Sequence, residues 1–448
     1  MQSEALWGKQ TASAVEHFDF GADERMPLPL LHALAAIKSA AALVNGRTGR
    51  LSPLLTRAIE EAADEVAAGR HDMQFPLSIW QSGSGTQSNM NVNEVVARIA
   101  QERLAASGNP QVVHPNDHVN LGQSSNDTVP SAMHLAALAA VQHRLLPALD
   151  RLVQTLHGKA LGWADLVKLG RTHLQDAVPM TLGQEAGAWR SQLLSARAAV
   201  EATLPALHSL ALGGTAVGTG LNAPVGFADA VCRELATRTG LPVQPASDPF
   251  AALAGHEPLV ALHGALKVLA VALMKIANDI RLLGSGPRGG LGELLLPANE
   301  PGSSIMPGKV NPTQSESLVM VAIQVIANDS AVTMGAGAGH LQLNTCKPLI
   351  AANLLRSVRL LATGMESFDR HCVSGLEADP KRLAELMERS LMLVTALAPH
   401  IGYDRAARIA LQAHEQGLTL REAALAEGLS AEDFDAWVQP ARMARPQR

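Results

Sequence analysis

The stretch LHGALKVLAVALMKIANDIRLL, residues 262–283, decides the fold. Leu262, Leu266, Leu269, Leu273, Ile276, Ile280 and Leu283 fall at alternating spacings of four and three, the seam of a helix packed lengthwise against others. A second row runs through Leu138, Val141, Leu145, Leu149, Leu152 and Leu156, and a third through Leu318, Val321, Val325 and Val332. Each row reads as core. Helices of this length with small, Ala-rich flanks predict an all-α, elongated bundle whose outer stripes meet other subunits. The first third, to about Gly122, is expected to have shorter helices and more turns, and after Pro380 the spacing shortens again.

At 448 residues the chain can bury a large core, with length alone favouring about three domains. Hydrophobic residues make up 47% but aromatics only 3%, so the apolar content is mostly Ala, Leu, Val and Ile, which suits closely packed helices. A formal charge of −5 without a basic run argues against nucleic acid as a partner. Cys232, Cys346 and Cys372 are far apart and odd in number, which fits a reducing compartment. MQSEALWGKQ lacks the apolar core of a secretory signal, and no uninterrupted apolar run approaches the ~18 residues that span a bilayer. These features predict a soluble cytoplasmic protein, with a processed organellar one as the alternative, and no membrane partner.

Four polar segments carry the chemistry. GSSIMPGKVNPTQSE (302–316) is a loop punctuated by Gly302, Pro307, Gly308 and Pro312. Lys309 offers charge, Asn311 an amide donor, and Ser303 and Ser304 hydroxyls able to donate a hydrogen bond or, suitably activated, to abstract a proton. A phosphate-binding P-loop is excluded, since five residues separate Gly302 from Gly308 and Val310 follows the lysine. GSGTQSNMNVNE (83–94) places Ser84, Thr86, Ser88, Asn89, Asn91 and Asn93 ahead of a helical-looking EVVARIAQERL. HPNDHVNLGQSSNDTVP (114–130) ends in Ser124, Ser125, Asn126 and Asp127, with Pro130 expected in the first helical turn. Capping accounts for Asp127 and Ser88, whereas runs of neutral hydroxyls and amides suit a site that orients a small dicarboxylate at helix N-termini. In GRTHLQDAVPMTLGQE (170–185), read as a polar loop, His173 is a candidate base that Glu316 or Asp176 would orient. His114 and His118 have the spacing of a metal pair, but Pro115 intervenes and no third ligand is evident, so no metal is assigned.

These four segments, with LALGGTAVGTGLN (210–222), resemble the class II fumarases, the cofactor-free fumarate hydratases, and the likeness runs from LWGKQT at Leu6 to LVTALAPHIGYDRAA near the C-terminus. GSSIMPGKVNP marks the wider fumarase/aspartase superfamily. His173 in GRTHLQD and the Thr-Gln pair in TQSE favour the hydratase over aspartase. The resemblance implies Ser303 as the base for the carbon proton and His173, oriented by Glu316, as the group handling the water proton. It implies substrate contacts from Ser84, Gly85, Thr86, Ser124, Ser125, Asn126, Thr172, Ser304, Lys309, Val310 and Asn311, and a second anion site at His114, Pro115, Asn116 and Asp117. It further implies no cofactor, domains of 1–122, 123–380 and 381–448, and a homotetramer built on a twenty-helix bundle with each site shared by three chains.

Several positions depart from the family pattern. Gln111 stands where an arginine often serves the second site, Gln342 and Cys346 replace an expected Glu and Phe, and Leu121 and Gly122 replace a more polar pair. Two competing readings are another superfamily lyase, such as an aspartate ammonia-lyase, and a helical scaffold that has lost its chemistry. Intact Ser303, His173, Lys309, Asn311 and Glu316 argue against that loss.

Overall fold

The computed structural model describes residues 5–300, 302 and 305–445. The candidate residues Ser303 and Ser304 therefore lie outside the described residues. In chain order the main helices are α1 (Lys9–His17), α2 (Leu28–Arg47), α3 (Pro53–Ala67), α4 (Thr86–Ala106), α5 (Ser125–Ala140) and α6 (Leu146–Gly162). Strands β1 (Val167–Thr172) and β2 (Gln175–Thr181) follow. The chain continues through α7 (Leu182–Leu207), α8 (Phe227–Thr239), α9 (Pro249–Ala254), α10 (Glu257–Leu283), α11 (Thr313–Gly337) and α12 (Lys347–Phe368). Short helices fill the region from Pro380 to Met443. The fold is all-α, as the leucine rows imply. All seven residues of the row in α10 are at most 5% exposed, each contributing about 1.5–3 kcal/mol over an exposed position. The row through Leu138 and Leu156 is fully buried, and Val141–Leu145 between α5 and α6 winds as a π-turn.

The first third has the shorter helices expected, its longest being α2 with 20 residues and α4 with 21 against 26, 27 and 25 in α7, α10 and α11. Leu30, Leu31, Leu34, Ile37, Ala40, Ala41 and Val44 bury α2 around its whole circumference, so it carries no amphipathic stripe to read. Three local expectations are corrected. α4 begins at Thr86, after Gly85 in the left-handed conformation (φ 77°), so the polar run Thr86–Asn93 is its first two turns rather than a lead-in. α5 begins at Ser125, capped by Ser124 and Asp127 in a reciprocal capping box, which leaves Pro130 inside the helix rather than in its first turn. The segment around His173 is a β-hairpin, not a loop.

The chain divides into two compact units. One comprises 1–147, 196–270 and 321–362. Within it the buried His263 joins α10 to its neighbours, with Nδ1 3.0 Å from Asp329 Oδ1 on α11 and Nε2 2.8 Å from Ser357 Oγ on α12. The other comprises 148–195, 271–320 and 363–448. There the fully buried Trp189 donates from Nε1 to Asp279 Oδ2 at 2.8 Å, linking α7 to α10. In the same unit Leu169 of β1 packs in a cluster with Leu393, Leu397, Ile409, Leu420 and Phe434.

Three helices, α2, α10 and α11, do reach the length and apolarity of a membrane span, because an averaged window tolerates the few charges that break an uninterrupted run. Two thirds of the α2 window is buried within the chain, half of that of α10 and one third of that of α11. On α10 and α11 the rest forms apolar stripes, including Val268, Val271, Met320, Ile323 and Met334, each at least half exposed.

Candidate active site

In the first unit the N-termini of α4 and α5 meet through hydroxyls. Ser82 Oγ lies 3.0 Å from Ser84 Oγ, Ser84 Oγ 2.8 Å from Thr86 Oγ1, and Thr86 Oγ1 2.8 Å from Ser125 Oγ. Thr86 and Ser125 are the first residues of their helices, so two positive dipole ends converge on one uncharged, hydrogen-bonding patch. Close backbone packing sets the approach to α4. A Cβ on Gly83 would fall 1.4 Å from the carbonyl oxygen of Thr345, and the Gly83 carbonyl accepts from the Lys347 amide at 2.9 Å. A cavity of about 340 Å³ lined by Lys9, His17 and Thr86 adjoins the patch. A larger one of about 780 Å³, lined by Arg25, Trp80, Arg144 and Arg356, contains none of the candidate residues.

The structure separates the candidates that sequence grouped together. Ser84, Thr86 and Ser125 converge, with Gly85 as the tight turn between the first two. Ser124 Oγ accepts from the Asn126 amide at 3.2 Å as the cap of α5, and Asn126 Nδ2 donates to the Ala216 carbonyl at 2.9 Å. Asn89, Asn91 and Asn93 point into the core: Asn91 Nδ2 donates to the Gln74 carbonyl, and Asn89 and Asn93 both donate to Asn120 Oδ1. They are structural amides rather than substrate ligands. Ser88 is not a cap either, because its amide and hydroxyl both donate to Gln81 Oε1.

Sequence reading missed Lys38. This lysine of α2 is fully buried, and its Nζ donates to Asn120 Oδ1 at 2.8 Å and Gln123 Oε1 at 3.0 Å. Burial lowers its pKa to about 7, against the pull of the Asp127 charge. Burial also raises Asp127 to about 6, opposed by amide bonds from Ser124, Thr215 and Gly213 and by Lys38. Asp127 thus does more than cap α5: its Oδ2 accepts from the amides of Gly213 and Thr215, both at 3.0 Å, tying α5 to the 213–215 turn. A lone lysine within AAIKSAAAL was the available signal.

The second-site residues form a surface π-turn, Pro115–Val119. His114 Nδ1 accepts from the Asp117 amide at 3.0 Å, while an Asp117 carboxylate oxygen at 3.1 Å competes for that nitrogen when it is protonated. His114, Asn116 and Asp117 are exposed, Pro115 is half-buried, and His118 Nδ1 accepts from the His114 amide at 2.9 Å.

The second unit holds the remaining candidates. Strands β1 and β2 pair up to Thr172–Gln175, leaving His173 and Leu174 as a two-residue turn with φ of 59° and 61°. Two positive φ values define a type I′ turn, which favours Asn-Gly. Each non-glycine residue there costs about 1–2 kcal/mol. Thr172, His173 and Leu174 are all exposed at this tip. Neither Glu316 nor Asp176 hydrogen-bonds to His173 within the chain. Glu316 lies in the first turn of α11, and its carboxylate is 3.9 Å from Arg281 Nη2. In the 302–312 loop Asn311 Nδ2 donates to the Gly302 carbonyl at 2.7 Å, and a Cβ on Gly302 would fall 1.2 Å from the Lys309 carbonyl oxygen. Gly302 therefore packs against Lys309 and Asn311, with Gly308 at φ 80° and with Lys309 and Val310 exposed.

The likeness along the chain is to the lyases of the fumarase/aspartase superfamily. The family model described as Lyase matches residues 1–327, and that described as Fumarase C C-terminus matches residues 393–445. The class II fumarate hydratase of Chromobacterium violaceum is 62% identical over 441 residues, covering 98% of this chain and 95% of that protein. Fumarate hydratase class II 1 of Pseudomonas aeruginosa is 60% identical over 445 residues, with the same coverage of each. The crystal structure of a class II fumarase from Schistosoma mansoni superposes with a TM-score of 0.95 at 46% identity, covering 100% of this chain and 97% of that one. The chain belongs to the class II fumarases.

Proposed function

We propose that this protein is a hydro-lyase that adds water reversibly to fumarate, giving (S)-malate. The observation that carries this reading is the 2.8 Å contact between Thr86 and Ser125 at two helix N-termini. Such a patch offers a small dicarboxylate helix dipoles and oriented neutral donors, which complement the charge that Lys309 supplies. In the malate-to-fumarate direction a weakly acidic C–H must be broken. The charge then spreads onto the neighbouring carboxylate as an aci-carboxylate, which needs oriented donors. Ser303 takes the carbon proton, its hydroxyl activated by loop amides and charge because its free pKa is far too high. His173, oriented by Glu316, handles the water proton. Lys309 and Asn311 bind carboxylate, with Thr172, Ser304 and Val310 completing that side.

His173 and Glu316 do not meet within one chain, and the apolar stripes of α10 and α11 stand open. Both facts support a homotetramer in which each site draws on three chains. The segments 1–122, 123–380 and 381–448 serve as its domains, and the three free cysteines fit a cytoplasmic setting. The 114–117 turn serves as a second anion site, weakened by Gln111. The test is an ultraviolet assay of fumarate disappearance without added metal or nucleotide. Steady malate formation in the presence of a strong chelator is expected, whereas activity lost to the chelator and regained with iron or zinc refutes the cofactor-free mechanism.

A further inference from the structure

We infer that an ion-pair group built on the buried Lys168 and Glu293, Arg171–Glu293–Lys168–Glu185, positions His173, so that Arg171 and Glu293 set turnover without touching substrate. The inference rests on the reading of His173 as the group that handles the water proton. Arg171 Nη1 donates to Glu293 Oε1 at 2.6 Å. Lys168 Nζ donates to Glu185 Oε2 at 2.6 Å and lies 2.7 Å from Glu293 Oε2, the latter an ion-pair contact without hydrogen-bond alignment. Glu293 is fully buried and Lys168 is 1% exposed. Two cations and two anions balance, so the group is neutral as a set and intolerant of losing one member.

Its place in the hairpin gives it a purpose. The β1–β2 ladder is interrupted by a bulge between Leu169 and Arg171, and beyond it only the rungs Arg171–Asp176 and Thr172–Gln175 precede the turn. The base of β1 is held by Leu169 in its apolar cluster, but that hold ends at the bulge. From Thr172 to Asp176 every residue is exposed, and none has a side-chain hydrogen bond or ion pair among the described residues. The Arg171 guanidinium is therefore the last side-chain anchor before a turn whose backbone is strained at both His173 and Leu174. Glu293 is itself fixed at both ends, its amide donating to the Leu283 carbonyl at 2.9 Å and its carbonyl accepting from the Asp379 amide at 3.0 Å. Proton transfer is steep in distance, and a 1 Å displacement of a reacting group costs on the order of 100-fold.

The test uses the full-length protein in three forms. The double variant Arg171→Gln/Glu293→Gln removes one cation and one anion and leaves Lys168 paired with Glu185. Arg171→Lys keeps the charge and shortens the reach, and His173→Asn is the reference. For each, kcat and KM for fumarate are measured separately, together with the hydrogen exchange of the 168–180 peptide. The double variant is expected to lose roughly 10–100-fold in kcat with KM within about threefold, and to exchange faster at the 171–176 amides, with Arg171→Lys intermediate in both. A folded double variant with wild-type kcat, or with unchanged exchange at the tip, overturns the inference. Should the double variant fail to fold, the same two results in Arg171→Lys overturn it. Wild-type turnover in His173→Asn instead sinks the underlying reading of His173. An inactive His173→Asn beside a fully active double variant sinks the positioning role alone.

Discussion

Replacing Lys38 by methionine tests whether a buried amine that donates to Asn120 and Gln123 is held near neutrality. The native group has its pKa lowered from 10.5 to about 7 because burial strips water from the ammonium, with Asp127 only partly compensating. That lowering corresponds to about 5 kcal/mol of differential stability. The sign follows from where the protons sit. Between about pH 7 and 10.5 the unfolded chain keeps the Lys38 proton that the native chain has released. Stability therefore rises with pH by up to about 1.4 kcal/mol per unit across that window, and is lost as the pH falls through 7. The other buried groups do not confound the comparison. Asp127, raised to about 6, contributes stability present below 3.8 and lost as pH rises through 6, and His134, lowered to about 4, loses its contribution as pH falls through 4. Lys347, lowered to about 8, overlaps the window but is common to both proteins and cancels in the difference.

The assay is urea unfolding of wild type and Lys38→Met between about pH 7.5 and 9.5, at one protein concentration and ionic strength, because assembly contributes to apparent stability. The wild type should gain about 2–3 kcal/mol relative to the variant over those two units. Parallel curves refute the reasoning: Lys38 would then stay charged in the native state, held by Asp127 more strongly than burial opposes it. A steeper curve in the variant would reverse the assigned sign.

Two further outcomes address the site itself. Thr86→Val keeps the shape of the side chain but cuts both 2.8 Å links, to Ser84 and to Ser125. KM for fumarate should rise about 5–10-fold, the worth of roughly one hydrogen bond, with kcat within about threefold; an unchanged KM removes the patch from substrate binding. Co-expressing a His173→Asn chain with a Ser303→Ala chain should restore roughly a quarter of the sites, since each functional site needs two independent choices of about one half. No recovery in verified hybrids places both residues on one chain.

What the sequence disclosed depended on whether direction was encoded locally. The rows in α10 and α5–α6 were legible because a 3.6-residue period survives wherever one face is apolar and the other is not. Helix α2 hid because it is apolar on every side, and the start of α4 hid because Gly85 enters the helix without a capping side chain. The hairpin hid because His-Leu occupies a turn for which Asn-Gly is the usual signal. In the site the chemical types were readable and their orientation was not. Thr86 reaches across to Ser125, whereas Asn89, Asn91 and Asn93, a few residues further along the same helix, serve the core. The Arg171–Glu293 bond joins residues 122 apart, a distance no local pattern spans.

The misread hairpin is also where local preference and structure conflict most directly. A glycine at Leu174 would relieve a left-handed residue at no cost to packing, since that side chain is 71% exposed. The turn instead carries a bulky residue beside His173, and the ion pairs beneath it hold the short ladder that the strain would otherwise loosen. A tip that is strained, exposed and anchored from below is poorly explained by stability within one chain. On the proposed shared site, the imidazole projects a fixed distance into a pocket completed by other copies, and its exposure leaves it free for a Glu316 that does not reach it within one chain.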